Sequence, residues 1–190
     1  EERAEFGELL GMLRSESARV NRVVTGFLEL GKPLEMELRE VDVREALGAA
    51  MLPGRIRAEK EGKRLELEDR FGGAFSLDGE RFSQIMGNLI DNALDAVSEG
   101  GLVRVESGWE NGALRISVVD DGIGMTRQET REVMRPFVSL KATGTGLGLP
   151  LVSRLVEAHG GTFELRSAPG VGTEARFTIP SKAPGGKASG

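Results

Sequence analysis

Gln84-Ile85-Met86-Gly87-Asn88-Leu89-Ile90-Asp91-Asn92-Ala93 is the stretch whose reading decides the fold. Asp120-Asp121-Gly122-Ile123-Gly124 follows it, and Gly144-Thr145-Gly146-Leu147-Gly148-Leu149 closes the set. The first stretch lies within a predicted helix from Asp78 to Val97. Phe82, Ile85, Leu89 and Ala93 share one face, with Met86 and Ile90 beside them. Asn88 and Asn92 are four residues apart, so both amides leave one helical face. Amides in the middle of an apolar helix are costly without partners. Their carbonyl oxygens suit a hard ion such as Mg²⁺, which takes few protein ligands and keeps several waters. The plainer alternative is local capping or hydrogen bonding.

Ile116-Ser117-Val118-Val119-Asp120 reads as a strand. Alternation puts Asp120 on the same face as Ile116 and Val118. A carboxylate on a buried face needs a donor. The exocyclic amine of adenine is one, whereas guanine presents a carbonyl there. Gly122 and Gly124 remove side chains where a flat base would approach the backbone. Asp121 faces the other way and reads as solvated. Alone, Asp-Gly is equally a turn.

Gly144, Thr145, Gly146, Leu147 and Gly148 run into a predicted helix from Gly146 to Ala158. Glycines ahead of a helix expose backbone N–H groups and the positive end of the dipole, which suits phosphate. Pro150 falls in the first turn, where its missing N–H costs little. Lys141, just upstream, is a cation for a β- or γ-phosphate, with a solvated loop lysine as the plainer alternative. His159, the only histidine, precedes two glycines at a helix end. It reads as a structural cap, not as a phosphate acceptor.

Working outward, residues 1 to about 30 read as one long helix. Phe6, Leu10, Leu13, Ser17, Val20, Val24 and Phe27 form a heptad seam, which predicts a helix–helix interface in a homodimer. A helix packed on its own domain is the alternative. Gly31-Lys32-Pro33 ends it. Met36 to Val43 is a short strand, and Asp42 caps a helix through Met51. Pro53-Gly54 predicts a break or kink there, with helix resuming over 56–62. Strands follow at Lys63 to Asp69 and Ala74 to Leu77, then at Leu102 to Glu106 and Ala113 to Val119 around Glu110-Asn111-Gly112. A short helix covers 126–134, and a final hairpin pairs Thr162 to Ser167 with Thr173 to Ile179 around Pro169-Gly170. Residues 181–190 are Gly, Ala, Ser, Pro and Lys, which predicts disorder. Mixed helices and strands with late antiparallel hairpins make this α+β: a mixed sheet with helices on one face.

The chain has 190 residues, 25 Lys plus Arg, 30 Asp plus Glu and no cysteine, for a formal charge of -5. That excludes disulfides, thiolate metal sites and a cysteine nucleophile, and it argues against nucleic-acid binding. A triphosphate would therefore need local positive charge. No apolar run approaches a membrane span. The start in Glu1-Glu2-Arg3 without Met reads as a piece of a longer, cytoplasmic-facing protein whose parent could carry a membrane anchor.

Together the motifs resemble two-component sensor histidine kinases, of the superfamily that also holds gyrase, Hsp90 and MutL, and are most similar to the nitrogen-regulation type with a short ATP lid. Asn88 and Asn92 match the asparagine box, and Asp120, Gly122 and Gly124 the first glycine box. Pro136-Phe137 through Lys141 match the phenylalanine box, and Gly144, Gly146 and Gly148 the second glycine box. Glu157-Ala158-His159-Gly160-Gly161 and Gly170-Val171-Gly172-Thr173 match the closing signature. The resemblance implies a Bergerat two-layer sandwich over 33–180. A dimerisation helix over 1–32 would precede it, with the first helix of that hairpin absent. It implies ATP and Mg²⁺ as cofactors, Asn92 and Asn88 as metal ligands, Asp120 on adenine and Thr173 supporting Asp120. Asn88 and Lys141 become the catalytic residues and 125–145 a mobile lid. A response regulator receiver domain becomes a partner.

Met134 replaces an aromatic of the phenylalanine box, and Asp95 stands where some members carry a basic residue. The acceptor histidine belongs to the absent helix. Superfamily hydrolases carry a Glu four residues before the metal Asn; here that position is Asn88, and an amide is no general base. This favours phosphoryl transfer over hydrolysis. A non-catalytic nucleotide-binding scaffold is the remaining alternative.

Overall fold

The computed structural model describes residues 34–141 and 144–181, together with Phe6, Gly11, Ser17, Val20, Val24, Leu28 and Gly31. These seven positions have helical backbone and exposed side chains or glycine Cα atoms. Phe6, Ser17, Val20 and Val24 are the described members of the expected seam, and the domain does not cover them. Leu10, Leu13 and Phe27 lie outside the described residues, as does the expected tail beyond Ser181.

A short antiparallel pair, β1 (Arg39–Asp42) with β3 (Ala74–Leu77), closes one end of the domain. Helix α1 (Val43–Lys60) follows β1 directly, capped by Asp42, whose carboxylate accepts from the Glu45 N–H at 3.0 Å. Asp42→Ala is expected to cost about 1 kcal/mol, the usual worth of such a cap. Urea unfolding should show a lowered midpoint at unchanged slope, and an unchanged midpoint would remove the cap from the account.

Of the break or kink expected at Pro53, the break does not occur, and α1 runs continuously from Val43 to Lys60. The helix buries a stripe of Val43, Leu47, Met51, Gly54 and Ala58 that continues past the proline. Burial of that stripe outweighs the one hydrogen bond that proline forfeits. Gly54 brings helix α2 (Gly79–Ala96) close: a Cβ at Gly54 would lie 2.6 Å from Ile90 Cγ2.

The main sheet has the order β2-β4-β5-β7-β6: β2 (Arg64–Asp69), β4 (Leu102–Glu110), β5 (Ala113–Asp120), β7 (Gly172–Pro180) and β6 (Thr162–Ala168). Only β2 and β4 pair in parallel. β4 and β5 run longer than the sequence reading, up to a tight turn at Asn111 and Gly112. Both have positive φ, as a two-residue hairpin turn requires. One sheet face, carrying Val103, Val105, Ile116, Val118 and Phe177, packs under α1, α2 and helix α4 (Gly148–Ala158). The other carries charge, with Arg115 close to Glu106 and Glu110. The α+β two-layer sandwich expected from sequence is therefore the observed architecture.

His159 is buried and joins two ends of the structure. Its Nε2 accepts from the Asp78 N–H at 3.2 Å, so Nδ1 carries the proton and donates to the Leu155 carbonyl at 2.8 Å. The structural role read from sequence holds, and the bond to Asp78 adds a long-range tie at the cap of α2.

Candidate functional site

A cavity of about 520 Å³ lies between α2, the N-terminus of α4, the β5 end of the sheet and the loop that carries Lys141. Val118, Ala175, Leu165, Met125, Val133 and Leu149 contribute apolar wall, while Asn88, Asn92, Asp120 and Lys141 bring polar groups. Such a mixture of apolar lining and few convergent polar atoms is typical of a small-molecule site.

Asp120 ends β5 and is 7% exposed. Its Oδ1 accepts from the Gly122 N–H at 3.0 Å and the Thr173 N–H at 3.2 Å. No buried side-chain polar atom among the described residues lacks a partner, so the second oxygen opens onto the cavity. Burial raises the carboxyl above its ordinary value, opposed by those two backbone donors. Thr173 thus supports Asp120 through its backbone. Its hydroxyl instead meets Ser167 Oγ at 2.9 Å. Ser167 also accepts from the Met125 N–H at 2.8 Å and donates to the Gly172 carbonyl at 2.9 Å, a stitching role that the sequence reading missed. A serine in an alternating strand carries no signal of such long-range contacts.

Gly122 and Gly124 are packed tightly against distant parts of the chain. A Cβ at Gly122 would lie 2.5 Å from the Ala96 carbonyl oxygen, and one at Gly124 would lie 1.9 Å from that of Ala168. Their missing side chains make room for the protein's own backbone. Gly124 borders the cavity and Gly122 does not. Asp121 is exposed as expected, yet its Oδ1 accepts from the Leu102 N–H at 2.8 Å and so ties β5 to the start of β4.

On α2, Asn88 Nδ2 donates to the Gln84 carbonyl at 2.8 Å. That local bond, one of the alternatives from sequence, turns Asn88 Oδ1 towards Gly148: a Cβ there would lie 2.8 Å from it. Any side chain at 148 would fill this part of the cavity. Asn92 Oδ1 accepts from Lys141 Nζ at 2.9 Å. Lys141 is not a free loop cation, because Nζ also pairs with Asp95 Oδ2 at 2.6 Å. Arg57 of α1, absent from the sequence reading, lines the same cavity and pairs with Asp91 and Asp95.

Gly144, Thr145, Gly146 and Gly148 border the cavity ahead of α4. Leu147 does not: its side chain is buried and its N–H donates to Thr145 Oγ1 at 3.4 Å. Gly146 has φ +66, and a Cβ there would meet the backbone of Phe137 and Val138 at 2.5 Å. Phe137 N–H donates to the Gly146 carbonyl at 3.0 Å. The phenylalanine box is thereby clamped to the second glycine box. Between them, Ala142 and Thr143 lie outside the described residues. The short helix α3 (Arg127–Glu132) carries a complete capping box between Thr126 and Glu129.

The family model described as histidine kinase-, DNA gyrase B- and HSP90-like ATPase matches residues 77–183, which hold all of these groups except Arg57. The chain belongs to this ATPase family. Among relatives, the sensor histidine kinase ZraS of Klebsiella oxytoca is 33% identical over 93% of this chain and 38% of its own length. The catalytic domain of histidine kinase ThkA is 26% identical with TM-score 0.71, over 77% of this chain and 97% of that domain. Full-length ShkA, solved with AMPPNP, is 28% identical with TM-score 0.81, over 93% of this chain and 39% of ShkA. This ATPase-family domain is thus an ATP-binding domain of histidine-kinase type, spanning 38% of the length of the ZraS relative. Among its described residues no helix is long and apolar enough to cross a membrane.

Proposed function

We propose that residues 33–180 form the catalytic unit of a cytoplasmic-facing sensor histidine kinase. It would transfer the γ-phosphoryl group of Mg-ATP to a histidine on a dimerisation helix that this sequence does not contain. The supporting observation is convergence: the open oxygen of Asp120, the two amides of α2 and the glycine run before α4 meet in one cavity. In this reading Asp120 accepts from the adenine amine, and α4 presents backbone N–H groups and its dipole to the phosphates. The donor set fits a magnesium ion held through nucleotide phosphates, because Asn92 Oδ1 and Asn88 Oδ1 are neutral oxygens at the phosphate end. When bound, that ion would neutralise charge on the phosphates. Lys141 supplies the side-chain cation.

The transfer breaks the bond from the γ-phosphorus to the ADP oxygen and forms one to an imidazole nitrogen. The imidazole proton leaves to a base on the acceptor side. Hydrolysis would instead need a base here that activates water. The carboxylates bordering the phosphate end, Asp91 and Asp95, are both paired with Arg57, and Asp95 is held below the ordinary carboxylate range by Lys141 and Arg57 against the effect of burial. Carboxylates held in ion pairs are poor general bases. This favours transfer to protein.

Residues 1–32 are assigned to dimerisation, with a homodimer through residues 1–30 and the first helix of the hairpin; 181–190 form a tail. A response regulator receiver domain is the assigned downstream partner, and ThkA has been solved with response regulator protein TrrA. The test is to incubate the chain with γ-labelled Mg-ATP and a separately supplied hairpin bearing an acceptor histidine. Acid-labile label on the hairpin is expected. Free phosphate without labelled protein would establish the hydrolase reading, and binding without either product would establish a scaffold.

A further inference from the structure

Lys141 reaches across the cavity mouth to α2. Its Nζ lies 2.6 Å from Asp95 Oδ2 and 2.9 Å from Asn92 Oδ1. Asp95 follows Asn92 by three residues, so both sit on one edge of the helix. The other carboxylate oxygen of Asp95 is held from behind by Arg57, which also donates to Asp91 at 3.2 Å and Glu61 at 2.7 Å. Asp95 is therefore fixed by α1 and turned towards the lysine.

The geometry points to Asp95 as a positioning residue that parks Lys141 over the Asn92 amide until nucleotide displaces it. This inference rests on the reading of Asn92 and Lys141 as metal- and phosphate-binding groups. An ammonium bonded to Asn92 Oδ1 occupies the acceptor that a metal ion would use, and two cations cannot share it at that distance. Nucleotide entry then exchanges one partner of Lys141, the Asp95 carboxylate, for another, the phosphates. The exchange leaves no stranded charge, because Arg57 remains on Asp95. Asp95 thus weakens apparent nucleotide affinity while setting where the lysine starts.

Binding of Mg²⁺ with a non-hydrolysable ATP analogue, measured by calorimetry, tests this with Asp95→Asn in the wild-type and Lys141→Met backgrounds. Losing one partly exposed pair in the free state should tighten binding by about 2- to 5-fold in the wild-type background. In the Lys141→Met background the same change should add nothing measurable, the signature of coupling between two residues. An equal gain in both backgrounds would show only bulk charge near an anion and overturn the proposal, as would no gain or a loss. Hydrogen exchange provides a second readout without nucleotide. Amides of residues 138–141 should exchange faster in Asp95→Asn and in Lys141→Met than in wild type, and unchanged rates would also overturn it. If wild type fails to bind the analogue, the ATP reading fails and displacement by nucleotide with it, while the exchange experiment still decides whether Asp95 holds Lys141 in place.

Discussion

Asp120→Asn is expected to weaken ATP binding by about 1–3 kcal/mol, roughly 5- to 150-fold in Kd, while leaving the free domain at least as stable at neutral pH. The amide keeps an oxygen for the Gly122 and Thr173 N–H groups that meet Oδ1 at 3.0 and 3.2 Å. It turns an NH₂ towards the cavity, where it faces the adenine amine donor to donor. The stability half follows from burial. The folded Asp120 carboxyl is raised above its ordinary 3.8, chiefly by desolvation, so the folded chain holds that proton more tightly than the unfolded one. Its contribution favours folding at low pH and is lost as pH rises from about the ordinary value through the raised folded value. Above that, the cost of a buried charge remains. Asparagine does not ionise and so lacks that loss. Calorimetric titration and melting at pH 4 and pH 7 check both halves together. Unchanged affinity would remove Asp120 from the nucleotide site, and a variant less stable at pH 7 would contradict the desolvation account.

Gly172→Ala should be strongly damaging beside the site. Gly172 has φ +114, and a Cβ there would lie 1.9 Å from the Asp120 carbonyl oxygen. Backbone strain and overpacking together imply a loss of about 2–5 kcal/mol. The start of β7 would be forced away from β5, carrying the Thr173 N–H off Asp120. Gly170→Ala is the matched control. It also has positive φ, +72, but nothing lies within 4 Å of its would-be Cβ. It should cost about 1 kcal/mol from backbone conformation alone and leave ATP binding intact. Equal melting temperatures for the two variants would sink the clash argument.

Both sites were partly legible in the sequence. Asp120 announced itself through strand alternation, because a carboxylate in register with Ile116 and Val118 has to be explained. Asn88 and Asn92 did so through helical spacing. Gly172 was visible only as part of a signature, and its clash partner lies 52 positions back in the chain. The nearest atoms to Gly122 and Gly124 belong to residues 96 and 168, so their role could not be read from local chemistry. Leu147 shows the same limit: its place among glycines suggested the site, but its side chain goes to the interior.

The polar edge of the cavity was the least legible part. Arg57 lies just past Pro53, where the sequence predicts a break or kink, and the helix that continues through the proline is what aims it at Asp91 and Asp95. Lys141 was read as a lone cation because its partners are 46 and 49 residues away.

The sequence by itself determined the element order, the α+β class, the two amides on one helical face and the buried acid at the end of a strand. These follow from periodicity, which is a local property of backbone geometry. The tertiary structure decided which oxygen of Asp120 is open, why each glycine is required, and that Lys141 rests between Asn92 and Asp95. Those depend on groups far apart in the chain meeting within 3 Å or so, and hydrogen bonds and steric contacts at that range are set only once the helices have packed on the sheet.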